Sequence, residues 1–180
     1  MFDTMCREGG EIMKKLVAVL VLLVLTLVPE SCLRQPPSVE DVEAFMRKNW
    51  NDIAVVNDYL LELGEKDALI SRDNGLVFID FTHQEIKNDA VREAIQSLWR
   101  EGCTYIYKDN EYHAIAYTIW TRTIDGISCG FAYAIDQTQP PELQYQTELV
   151  SLSIEGWYYY IENYEEWRQN RKTQHNTSIK

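Results

Sequence analysis

The sequence predicts an α+β fold: N-terminal helices packed on a curved antiparallel sheet, in the order α-α-β-β-α-β-β-β-β. Three observations carry this prediction. Helical periodicity fills the stretch from Ser38 to Gly64 and returns between Asn88 and Arg100. From Cys103 to Asp136 the chain instead reads as three runs rich in Ile, Tyr, Thr, Phe and Trp, split at Asp109-Asn110 and Asp125-Gly126. β-branched and aromatic residues suit a pleated surface, and Asp-Gly between such runs marks a hairpin. At 180 residues, 46% hydrophobic and 25% charged, the chain has the make-up of one folded domain with a real core.

Taken in order, Ser38 is placed to cap a helix, with Asp41 as its reciprocal partner. Val39, Val42, Phe45, Met46 and Trp50 then share one helical face. Ile53, Val56, Leu60 and Leu61 form a second such face, running to Gly64 as a helix stop. Ala68–Arg72 and Leu76–Phe81 flank Asn74-Gly75, a hairpin signal. Thr82 and Glu85 read as a capping box, although the main helix is expected to start at Asn88 or Asp89. Its core side is Val91, Ala94, Ile95, Leu98 and Trp99. Behind the meander, Pro140-Pro141 marks a loop and Tyr145–Ile154 a further strand. Trp157–Trp167 fits a helix or a strand equally well. The domain is expected to span 38–168, with a polar tail over 169–180.

Two-residue loops fix a register for the meander, with Tyr107 facing Tyr112 and Ile124 facing Ile127. On that register one face carries Tyr105, Tyr107, Tyr112, Trp120, Arg122, Cys129, Phe131 and Tyr133, and is expected to lie under the helices. The opposite face carries Ile106, His113, Ile115, Tyr117, Ser128, Gly130 and Ala132. Trp120, central in the longest strand, is expected to be buried. Cys103 and Cys129 fall two strands and six residues apart, about 22 Å. A disulfide needs Cα atoms within about 7 Å, so both are expected to be free, buried thiols.

The element order resembles the cone-shaped fold of the ketosteroid isomerase and scytalone dehydratase superfamily, a sheet closed over helices around a pocket. The resemblance is one of element order and implies nothing about activity. A two-layer sandwich of the cystatin kind is the alternative.

Residues 13–31 read as a signal peptide: Lys14 and Lys15 precede the apolar run Leu16–Val28, broken by Thr26 alone. A spanning helix needs roughly 20 apolar residues, so this run suits a leader better. Residues 1–12 are expected to be an untranslated upstream region. Their Arg-Glu-Gly-Gly-Glu is what a purine-rich ribosome-binding site yields when read in frame, which makes Met13 the start. Ser31-Cys32 directly behind the run resembles a bacterial lipoprotein signal, departing from it at Pro29 and Glu30. The resemblance implies lipidation at Cys32 and anchoring to the cell membrane on its extracytoplasmic side, with 32–37 as a tether.

From Cys32 onward there are 24 acidic and 14 basic residues, a net charge of −10. That balance argues against nucleic acid as a partner and against adsorption to anionic lipid. Gly126-Ile127-Ser128-Cys129-Gly130 matches G-x-S-x-G by letters, but a nucleophile elbow needs a helix after the Ser, and Phe131–Ile135 continue as a strand. Asp80, His83, Glu85 and Asp89 have no metal-site spacing, and no cofactor motif is present. Glu162, Glu165 and Glu166 read as a solvated face. What remains is the aromatic face: Tyr105, Tyr107, Tyr112, Trp120 and Tyr133 around Arg122 are the expected walls of a ligand pocket. With no carboxylate or His on that face, the expected role is non-catalytic binding of a protein or small ligand. A small hydrolase or isomerase with an aromatic pocket is the alternative.

Overall fold

A computed structural model describes residues 35–72 and 75–177. The chain divides into two units, 1–35 and 36–180. The expected leader and Cys32 lie outside the described residues, as does Asn74. Among the described residues, no helix is long and apolar enough to cross a membrane.

The second unit opens on α1 (Val39–Lys48), and Ser38 caps it as expected: its hydroxyl accepts from Asp41 N, while Asp41 accepts from the Ser38 backbone. Next comes α2 (Trp50–Glu62), then β1 (Ala68–Ser71), β2 (Leu76–Ile79) and the two-residue β3 (Thr82–His83). Thr82 therefore starts no helix. The expected capping box is an edge strand, and Asn88 instead caps α3 (Asp89–Arg100) through Val91 N. The meander follows as β4 (Tyr105–Asp109), β5 (Ala114–Arg122) and β6 (Ile127–Ala134). β7 (Gln146–Ser151), β8 (Trp157–Asn163) and α4 (Tyr164–Thr177) complete the chain. The stretch that fitted both helix and strand is both, breaking at Asn163, and its helix continues through the segment expected to be a polar tail.

The eight strands form one antiparallel sheet in the order β3-β2-β1-β4-β5-β6-β8-β7. The α+β class with leading helices is therefore as expected. Helices α1–α3 pack on one face of the sheet, the helix face, where Val42, Met46, Ile53, Leu60, Ile95 and Leu98 meet Ile106, Ile115, Tyr117, Phe131 and Trp157. Tyr117 stacks on Phe131 with centroids 4.9 Å apart and an interplanar angle of 8°. The other, outer face carries a second, smaller core of Ala114, Ala116, Ala132, Leu143 and Tyr160. Leu143 comes from the loop between β6 and β7, which folds back over the outer face.

The register differs from the expected one at three points. Asp109 pairs with Ala114 and Arg122 with Ile127, so both loops hold four residues, not two. Each loop ends on a residue with positive φ, His113 (49°) and Gly126 (64°). Asp109 accepts a hydrogen bond from Tyr112 N and tightens the first loop. These changes are even-numbered shifts and keep the same residues together on each face, but the face under the helices is the one with Ile106, Ile115 and Tyr117, not the expected one with Tyr105, Tyr107 and Tyr112. The third change does not keep them together. A β-bulge between Thr118 and Trp120 adds one residue to β5, so the pairing passes from Thr118 with Gly130 to Trp120 with Cys129. One extra residue exchanges the two faces beyond it.

The face expected to be continuous is therefore split. Tyr105, Tyr107, Ala114, Ala116 and Thr118 share the outer face with Gly130, Ala132 and Tyr160, whereas Trp120, Cys129, Phe131 and Tyr133 share the helix face. Trp120 is half-buried, not buried as expected, because it sits past the bulge near the end of β5. Cys103 and Cys129 are free and fully buried, as expected, and burial pushes their thiols up to about 12 and about 11.

Candidate functional site: a groove on the outer face

The residues expected to wall one pocket stand in three places. Tyr107 and Tyr112 line a groove of about 630 Å³ on the outer face. Tyr105 is on that face but outside the groove lining. Trp120, Arg122 and Tyr133 belong to the other side. Arg122 closes the β5–β6 loop by donating from Nε to Asp125 at 2.9 Å, and its guanidinium lies 6.0 Å from the Trp120 ring centroid. Tyr133 packs against Trp157 at 5.1 Å. The bulge is the physical reason for the separation: it turns Trp120 and Arg122 away from Tyr107.

The groove is built from five parts of the chain. Pairing of β2, β1 and β4 sets Phe78, Leu69 and Tyr107 side by side on its floor. Leu69 is 42% exposed although it lies in the middle of a strand. The β4–β5 loop contributes Tyr112. The loop before β7 contributes Gln144 and Tyr145, and α4 holds the Tyr145 ring edge-on between Tyr164 and Trp167, both at 5.1 Å. At the rim, Phe81 is 93% exposed and follows Asp80 in a turn where both residues have positive φ, 48° and 61°. Two successive non-glycine residues in that region are costly and persist only when their surroundings impose them.

Glu162 closes one end of the groove. It is half-buried on β8, where Ser128 lies opposite it and donates to its Oε2 at 3.0 Å. Tyr107, reaching over the small side chains of β5 and β6, brings its hydroxyl to 3.5 Å from Oε1, a long contact. Burial raises the carboxyl above its usual range, opposed by the hydrogen bonds from Ser128, the Tyr145 backbone and Tyr107. Burial also lifts the Tyr107 phenol well above 10.0, helped by the charges of Glu162 and Asp109, so it stays protonated and can donate. Asp67 and Asp109 also line the groove.

Sequence reasoning placed Glu162 on a solvated face and gave no role to Leu69, Phe78 or Tyr145. The signal was present for Glu162: read as a strand, Trp157–Asn163 alternates so that Glu162 falls with Tyr158 and Tyr160. Ser128 belongs to no nucleophile elbow, since it sits within β6. Among the described residues, no three His, Cys, Asp or Glu side chains converge as a metal site.

The arrangement offers an apolar, aromatic floor with a few acceptors around it, which is the usual form of a small-molecule site. No protein-family model, no curated protein and no solved structure matches this chain.

Proposed function

We propose that the chain is a bacterial lipoprotein, anchored through Cys32 on the extracytoplasmic side of the membrane, whose folded domain binds a small ligand in the outer-face groove without transforming it. The groove carries the reading. Leu69 and Phe81 stay exposed beside Tyr107 and Tyr145 in a folded domain that has its own separate, filled core. An apolar surface kept open in this way marks a place for something else to bind. The leader, with its lysines, apolar run and Cys32, supports the address.

One observation favours a second reading, a small isomerase or hydrolase. A carboxyl with a raised pKa in an aromatic cleft, next to a protonated phenol, is equipped to move a proton. Glu162 enters from β8, outside the meander that lacks a base.

A fragment screen by ligand-observed NMR tests both readings. Fragments are expected to bind the wild-type domain and to be lost, by at least about tenfold in affinity, from Leu69→Arg, which fills the floor with a charged side chain. Recovering the bound fragments unchanged after long incubation supports binding alone. Conversion that Glu162→Gln abolishes would replace it with the enzymatic reading. The absence of any fragment sensitive to Leu69→Arg would remove the groove as a site.

A further inference from the structure

The groove's polar groups are unbalanced in sign. Its lining holds three carboxylates, Asp67, Asp109 and Glu162, and one cation, Lys108. Lys108 is unavailable to a ligand. Its side chain is on the helix face and 2% exposed, and its ammonium donates to the carbonyl of Gly64 and, at 2.9 Å each, to the carbonyl of Lys66 and to Asn110 Oδ1. Each of the three carboxylates already holds a donor. Asp67 Oδ1 accepts from both the backbone and the side-chain amide of Asn110 at 2.9 Å, and Asp109 Oδ1 accepts from Tyr112 N at 3.1 Å. Glu162 accepts from Ser128 on Oε2, from the Tyr145 backbone and, over a long 3.5 Å contact, from Tyr107 on Oε1, and it is the one of the three that meets the hydroxyl of Tyr107 on the groove floor.

The strand beside Glu162 adds to the imbalance. Gln146 lies opposite it in the β7–β8 pairing, and its Oε1 is buried with no hydrogen-bond partner among the described residues. Gln146 stands outside the groove lining, and its amide oxygen adds negative potential beside the Glu162 carboxylate, in a place where burial weakens screening. The rest of the lining is aromatic, with the rings of Tyr107, Tyr112, Tyr145 and Phe81 at hand. Ring faces attract cations as well as apolar groups.

From this charge complementarity we infer that the groove's ligand is an organic ammonium on an apolar body, its N–H donating to Glu162 Oε1 and its hydrocarbon lying over Leu69 and Phe78. The inference rests on the binding reading above and deepens it. A charge-assisted hydrogen bond from an ammonium is about twice as strong as one from a neutral donor, so the site separates an amine from the alcohol of the same skeleton.

The test uses that pair as probes. The folded domain is titrated by NMR at neutral pH with 2-phenylethylamine and with 2-phenylethanol, in the wild type, in Glu162→Gln and in Glu155→Gln. Glu155 is an exposed carboxylate in the β7–β8 turn, outside the groove, and controls for general attraction to an acidic protein. Expected is an amine affinity at least about tenfold above that of the alcohol in the wild type and in Glu155→Gln, and a ratio near one in Glu162→Gln. If the alcohol binds the wild type as tightly as the amine, the ammonium is overturned and the groove reading survives. A preference that Glu155→Gln weakens as much as Glu162→Gln overturns the assignment to Glu162. If neither probe causes saturable shifts of groove resonances below about 10 mM, both readings fail. The wild-type comparison alone decides the sign of the preference, so a poorly folding Glu162→Gln does not rescue the idea.

Discussion

Lys108 and Glu162 meet burial on opposite faces of the sheet, and the difference lies in their partners. Lys108 loses water but gains carbonyls where the chain leaves α2, so its ammonium is fully bonded while burial still lowers its pKa. Glu162 accepts from Ser128, the Tyr145 backbone and, over a longer contact, Tyr107, and burial still raises its carboxyl above 4.5. A folded-state pKa raised above the unfolded one means that the folded chain holds the proton more tightly. That contribution to stability is complete below about pH 4.5 and is lost as the pH rises through the folded value. Urea unfolding at a series of pH values should show Glu162→Gln gaining on the wild type from acid to neutral pH. A parallel pair of curves would mean that Glu162 is solvated. Of the site residues, Tyr107 and Tyr112 were legible from aromatic enrichment in a strand pattern. Glu162 was not, because its segment, GWYYYIENYEEW, satisfies two periodicities until the break at Asn163 is known.

At the scale of elements, the strands were legible and their relation was not. Ile115–Arg122 alternates without a visible fault, yet the bulge between Thr118 and Trp120 reverses the faces of everything beyond it. The mark it left in the sequence is on the partner strand. A glycine inside an otherwise regular strand signals a bulge or a close backbone approach, and Gly130 is that residue: a Cβ there would stand 1.9 Å from the Tyr117 carbonyl oxygen. The neighbour is backbone, so it cannot swing aside. Gly130→Ala should therefore cost about 2–4 kcal/mol, above the ordinary range for added core bulk. Urea denaturation measures it, and a loss under about 0.5 kcal/mol would mean that the bulge relaxes freely. The four-residue loops escaped prediction for a related reason. Asp-Gly is read as a two-residue turn, but here Gly126 supplies the positive φ that ends a longer one.

At the scale of the molecule, the class, the leading helices and the capped start of α1 followed from periodicity and Ser38-Asp41. The strand order did not, since pattern along a chain carries no record of which edge a late strand joins. The proposed tether is a whole-chain property as well. If Cys32 carries lipid, Cys32→Ala should move the protein from the membrane fraction to the soluble one or leave an uncleaved precursor. A native chain whose mass shows no acyl group at Cys32 would end that proposal. The strand order has a consequence for how such a chain reaches its destination. Among the described residues β7 pairs with β8 alone, and β8 must insert between β7 and β6. β8 also brings Trp157 and Tyr159 to one core and Tyr160 to the other. A nascent chain is made from its N-terminus, so neither core can close until residue 163 has emerged. Pairing across so long a separation is slow. Late closure leaves the polypeptide threadable through a narrow channel for nearly the whole of its synthesis, and a protein destined for the far side of a membrane needs that delay.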